Sequence, residues 1–159
     1  MIVALNRHEF QMAAAVGLAR QISATLSGAA PAFPEQYPGQ LWFGHIGGAC
    51  AELAVAKVLG AYWDGSVDVG AREDITGWGI DVRFSPTRPK VRPRDLLRIV
   101  AVTTVKDGNR IDFTKYRILG WLPADSAKRD EWASDSAPLC YFPPEDEWHH
   151  INTLEPLRS

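Results

Sequence analysis

The 159 residues are 46% hydrophobic and 23% charged, with a formal net charge of −2, which suits one globular domain large enough to bury a core. So small a net charge gives no global pull toward nucleic acid, although a local basic patch can bind DNA on an acidic protein. Two cysteines, Cys50 and Cys140, stand ninety positions apart without CxxC spacing, which argues against a disulfide framework and for a reducing cytoplasm.

No run approaches the roughly 18 apolar residues needed to span a bilayer. The first residues, "MIVALNRHEFQ", lack the basic and long apolar regions of a signal peptide. The expected location is the cytoplasm, and no membrane partner is expected. Residues 7–26 then place Phe10, Ala14, Leu18 and Ile22 at helical spacing and predict a helix. "SGAAPAFPEQYPGQ" follows, with Pro31, Pro34 and Pro38, and reads as a loop or tether.

A second helix is predicted from about Gly47 to Leu59, "GGACAELAVAKVL", stopped by Gly60. Its first two turns are small residues, so it can approach a sheet closely, and Cys50 among them reads as a buried thiol. From "AYWDGSVDVG" onward the pattern turns to short strands. Residues 79–84, 96–105 and 111–122 read as strands, the last two joined by a "KDGN" turn. "ADSAKRDEW" (124–132) predicts a short polar helix, and the chain after Ser134 is Pro-rich and irregular. Helices set apart from mostly antiparallel strands indicate an α+β, or mixed-sheet α/β, single domain over 1–159.

Within "REDITGWGIDVRF" (72–84), Asp81 and Arg83 alternate with Ile80, Val82 and Phe84 and so share one face of a strand. Asp74 precedes that strand. On the second helix, at about 100° per residue, Glu52 groups with His45, Gly48, Ala49, Val55, Ala56 and Leu59, while Lys57 points away. The only carboxylate of 47–59 therefore lies on the face expected to meet the sheet. Burying it unpaired costs several kcal/mol at least, so it needs a partner. Convergence of Glu52, Asp74 and Asp81 would make an all-oxygen site suited to Mg²⁺ or Mn²⁺, ions that can generate hydroxide and stabilise a phosphoryl centre. Arg83 beside it would orient water or a phosphate oxygen. The structural alternative pairs Glu52 with Arg83 or Arg72 and leaves Asp81 and Arg83 as a solvated edge.

A helix with a lone Glu, then an Asp, then an acidic-x-basic triplet on a strand resembles the PD-(D/E)XK nuclease superfamily. "GHIGGACAELAVAKVLGAYWDGSV", with "VRPRD" and "YRILGW…AKRDEW", is similar to small proteins of bacteriophages and prophages that carry this nuclease-like core. The resemblance covers roughly residues 46–132. It implies a restriction-endonuclease-like αβββαβ core with a mixed sheet flanked by helices. Residues 1–45 stand before it as helix and Pro-rich connector, and 133–159 follow as a tail. It also implies DNA as substrate in the host cytoplasm, with Mg²⁺ held by Glu52, Asp74 and Asp81 and with Asp81-Val82-Arg83 as the D-x-K-like triplet. Position 83 is Arg where the family usually has Lys, and an arginine cannot act as a base. Position 73 is Glu rather than Pro, and the Asp74 to Asp81 spacing is short for the family. An inactive nuclease-fold protein binding nucleic acid or a host protein is therefore the alternative reading, and a virion or assembly component is a third.

"SPTRPKVRPRDLLR" carries Arg88, Lys90, Arg92, Arg94 and Arg98 on a proline-stiffened chain. Such a run can fan charges along a phosphate backbone or simply solubilise a loop. Lys90 could supply the missing lysine if this loop folds back. His149-His150 suggest a surface or packing role more than a metal site, and His45 reads as structural. Trp121 and Trp132 are expected to pin the last helix, with Trp63 and Trp78 in core packing or base stacking. GxxxxGK[ST], GxGxxG, GxSxG and HExxH are all absent, so P-loop, dinucleotide, serine-hydrolase and zincin chemistries have no support.

Overall fold

In the computed structural model the described residues are 1–28, 40–67, 73–108, 110–135 and 138–157. The Pro-rich connector, Arg72 and Asn109 of the hairpin turn lie outside them. The order is β1 (Ile2–Ala4), α1 (Arg7–Leu26), α2 (Gln40–Leu59), β2 (Ile80–Phe84), β3 (Arg98–Asp107) and β4 (Arg110–Pro123). Single 3-10 turns follow at Asp125–Ala127, Asp130–Trp132, Glu145–Glu147 and Ile151–Thr153. The fold class is α+β, as expected. Among the described residues no helix is long and apolar enough to cross a membrane.

Helix α1 starts where its capping box dictates. The Asn6 side chain accepts from the Glu9 N–H at 3.0 Å, and the Glu9 carboxylate accepts from the Asn6 N–H at 2.7 Å. Helix α2 ends at Gly60, whose φ of 62° closes a left-handed cap with Ala61 N–H donating to Ala56 C=O. It begins at Gln40 rather than near Gly47. No strand forms over the described part of 61–67.

The sheet order is β1-β4-β3-β2. β2 runs parallel to β3, while β3–β4 and β4–β1 are antiparallel, with bulges in the β3–β4 ladder at Ala101/Val102 and Thr104/Val105. Both helices cover one face. There Ala49, Cys50, Ala51, Ala54 and Val55 of α2 pack with Ile80, Val82, Val100, Val102, Tyr116 and Ile118. The small residues of α2 permit contact so close that a Cβ on Gly47 would fall 2.2 Å from the Phe84 ring.

The opposite face carries a second, smaller core of Val91, Ile99, Ala101, Leu122, Ala124, Ala127 and Trp148. It is covered by the β2–β3 connection and the C-terminal segments, tied together where Val91 and Tyr141 exchange N–H···O=C bonds. The expected helix over 124–132 is instead two separate 3-10 turns, divided at Lys128, whose φ of −94° and ψ of 58° leave the helical region. Trp132 there stacks under Arg129 at 4.2 Å rather than pinning a helix, while Trp121 packs against His149 of the tail.

The inward face of α1 differs from expectation. Ala13, Gly17, Arg20 and Gln21 are buried, whereas Leu18 and Ile22 are 42% and 45% exposed. Gly17 sets this face, because a Cβ there would lie 2.5 Å from the Ile46 backbone, so the two helices approach main chain to main chain at this position.

Candidate functional site

Glu52 does face inward and, at 5% exposure, is among the most buried charged residues described. Its partner is not Arg83, and Arg72 lies outside the described residues. Arg20 of α1 grips it with Nη1 on Oε1 at 2.6 Å and Nη2 on Oε2 at 2.8 Å. Trp63 Nε1 adds a third donor to Oε2 at 3.1 Å, and Arg20 Nε reaches Ser66 C=O at 2.8 Å. Burial works against the Arg20 charge, yet the Glu52 carboxylate outweighs it and holds the guanidinium above its ordinary pKa. His45 is half-buried nearby, and burial with the Arg20 charge pushes its pKa down.

Asp81 and Arg83 occupy the other face of the sheet. Their register partners are Ile99 and Ala101, which belong to the second core, whereas Ile80 and Val82 face the helices. Strand alternation thus sets Asp81 across the sheet from Glu52. There Arg83 Nη2 bridges Asp81 Oδ2 at 2.5 Å and Asp95 Oδ1 at 2.6 Å. Asp95 is buried and also accepts from the Arg92 N–H at 2.8 Å. Burial raises the Asp81 pKa, with Arg83 opposing and Asp95 reinforcing the shift.

Asp74 stands at the rim between the two faces. Its N–H donates to Ile80 C=O at 2.9 Å, and its Oδ2 accepts from the Val82 N–H at 2.6 Å, so it continues the hydrogen bonding of β2 along its open edge. The preceding Glu73 carboxylate takes the N–H groups of Gly77 and Gly79 at 2.8 and 2.5 Å and so shapes the 73–79 loop. Burial first, then the fields of Glu52 and Asp81, push the Asp74 pKa up to about 8. The three carboxylates therefore feel one another without meeting at a point. Among the described residues no group of three His, Cys, Asp or Glu side chains is placed to hold a metal ion.

The basic run divides. Arg88 is turned away, donating to Phe142 C=O and lying over the Phe142 ring at 5.2 Å. Arg98 serves the C-terminal segment, with Nη1 on Glu155 C=O at 2.8 Å. Lys90 and Arg92 fold back toward Arg83, and burial plus this crowding of cations lowers the pKa of both. Arg94 is exposed beside Arg92. His149 stacks on Trp121 at 5.1 Å, and His150 Nδ1 accepts from the Asn152 N–H, so neither histidine approaches the carboxylates.

Sequence reasoning missed Arg20 and Trp63 as the partners of Glu52, and Asp95 as a partner of Arg83. Arg20 carried a usable signal: it is the only charged residue of α1 after Glu9, as Glu52 is the only carboxylate of α2. Two opposite charges, each alone in a long uncharged stretch of its helix, are natural partners, because neither can be buried alone. The sequence matches no family model, and no curated protein or solved structure matches the chain.

Proposed function

We propose that the chain binds DNA at the open edge of β2 and hydrolyses its phosphodiester bonds with a Mg²⁺ or Mn²⁺ ion held by Asp74 and Asp81. The observation that carries this reading is that Asp74 of the 73–79 loop lies near enough to Asp81 of β2 to feel its charge, with the Arg83 and Arg92 cations beside Asp81. Glu52 leaves the proposed ligand set, because Arg20 and Trp63 occupy both of its oxygens. Two carboxylates still suit Mg²⁺, which commonly binds one or two of them and keeps water and substrate phosphate as its other ligands. Asp74 and Asp81 each use Oδ2 within the protein, and neither Oδ1 has a protein partner among the described residues.

When bound, the divalent cation supplies charge neutralisation at the scissile phosphate and a more acidic water. The chain's own groups do the rest. Arg83, clamped by Asp81 and Asp95, presents a fixed guanidinium that orients a phosphate oxygen and cannot accept a proton. Arg92 forms no ion pair among the described residues and is the cation best placed to take the neighbouring phosphate, with Lys90 and Arg94 beside it. Arg88, already committed to Phe142, contributes least. Asp74 must lose its proton before it can bind a cation, so metal affinity rises with pH through about 8.

The test is nicking of supercoiled plasmid and cleavage of single-stranded DNA with Mg²⁺ or Mn²⁺. Wild type should cleave, and Asp81→Ala and Asp74→Ala should each lose about 100-fold or more. Activity surviving Asp81→Ala would sink the assignment. A second reading, a phage accessory protein that binds nucleic acid or a host protein without cutting, is favoured by one observation: Arg83 already neutralises Asp81 at 2.5 Å. DNA binding without cleavage in wild type selects it.

A further inference from the structure

The loop that carries Asp74 is held from two sides. From within, Ile75 is fully buried in the helical-face core, and the Glu73 carboxylate gathers the Gly77 and Gly79 N–H groups. Those two glycines sit at φ of 81° and 58°, so the loop has conformational freedom that its own sequence does not remove. From outside, the C-terminal segment lies along it. Leu157 N–H donates to Gly77 C=O at 2.9 Å. The Leu157 side chain covers Gly79 so closely that a Cβ there would fall 2.7 Å from Leu157 Cδ1.

Arg98 fastens loop, strand and tail together. Its backbone N–H donates to Gly79 C=O at 3.2 Å, Nη2 donates to Trp78 C=O, and Nη1 donates to Glu155 C=O at 2.8 Å. Its guanidinium also lies 5.9 Å from the centre of the Trp121 ring. The tail is anchored upstream, where His149 exchanges backbone hydrogen bonds with Trp121, Trp121 Nε1 donates to Thr153 Oγ1, and Ile151 and Leu154 are buried. A firmly rooted segment thus ends in two light contacts on a glycine loop.

We propose that Arg98 and the segment 155–157 are positioning residues for Asp74, strapping the 73–79 loop against β2 so that its carboxylate stays on the Val82 N–H beside Asp81. The importance of this to catalysis rests on the nuclease reading above, but the strap itself does not. Two substitutions in the full chain separate its parts. Leu157→Pro removes the N–H that Gly77 accepts and leaves the buried residues alone. Arg98→Lys keeps a cation near Trp121 but loses the planar fork that serves two carbonyls.

The reporter is amide hydrogen exchange followed by NMR, without nucleic acid or metal. The Val82 and Gly79 amides should exchange about tenfold faster in both variants, because a local opening has become easier. The Leu5 and Phe10 amides, bonded to Thr114 C=O and Asn6 C=O far from the loop, should keep their wild-type rates. Where the wild type cleaves DNA, kcat should fall with little change in KM, since the strap sets the geometry of Asp74 rather than DNA contact. Unchanged Val82 exchange in both variants overturns the strap, as does equal acceleration at Leu5 and Phe10, which reports global loosening. A protein that never cleaves but shows the local acceleration keeps the strap and loses only the nuclease.

Discussion

The two faces of the sheet handle the same chemistry, a carboxylate paired with an arginine, in opposite ways. On the helical face Arg20 and Glu52 meet in a bidentate grip with side chains 8% and 7% exposed, and Trp63 closes the last opening. On the other face Arg83 and Asp81 are 21% and 24% exposed and lean on a buried Asp95. A sealed pair of this kind is a structural joint between helices, because nothing can reach it without prising them apart. A pair at an open strand edge remains available to a ligand. The difference teaches that burial and the identity of the partner, rather than the presence of a carboxylate, separate sealed charges from reachable ones in this chain.

The sharpest way to break that contrast is to remove Arg20. Arg20→Ala should cost about 3–5 kcal/mol in urea unfolding, since it strands Glu52 in the interior. Replacing both partners by leucine should recover much of the loss, and a cheap single substitution would show the pair to be wetter than it looks. Asp95→Ala comes next, at about 1–3 kcal/mol, because it leaves the Arg92 N–H without its acceptor and Arg83 with Asp81 alone.

A smaller effect belongs to Asp74. Its pKa is raised to about 8 in the fold and lies near 3.9 in the unfolded chain. The folded state therefore binds the extra proton. Stability from this group is fully present below about pH 4 and is lost as pH rises through about 8. Solvent reaches this half-buried group, so the change should be modest. Thermal melts between pH 5 and 9 should show the decline in wild type and a flatter profile in Asp74→Asn. Asp81→Ala should alter stability least, by about 1 kcal/mol or less, while removing the proposed cleavage. A large stability loss there would turn the open face into a second structural joint.

Much of the fold could be read from the sequence wherever one local rule decided the outcome. The helical spacing over 7–26 and the stop at Gly60 located helix ends, and the alternation of β2 put Asp81 and Arg83 on one face. Other features depended on tertiary packing. The Leu18–Ile22 stripe of α1 looked like its inner face, but the close approach at Gly17 and the demand of Glu52 for Arg20 turned the helix the other way. For the site, the inward aim of Glu52 was legible from the helix wheel. Its separation from Asp81 required knowing that the helices cover the face opposite Asp81, which no local pattern states. Asp95 lay hidden in a run of prolines and arginines whose folding back toward Arg83 has no periodic signature.

The hydrogen bond from the Val82 N–H to Asp74 has a further consequence, for the behaviour of many molecules together. β2 ends the sheet, and an uncovered terminal strand offers its main chain as a template on which another chain can add. The Asp74 backbone and side chain occupy that template at Ile80 and Val82. A substitution that withdraws them should favour concentration-dependent self-association through the exposed strand, even where the isolated molecule stays folded.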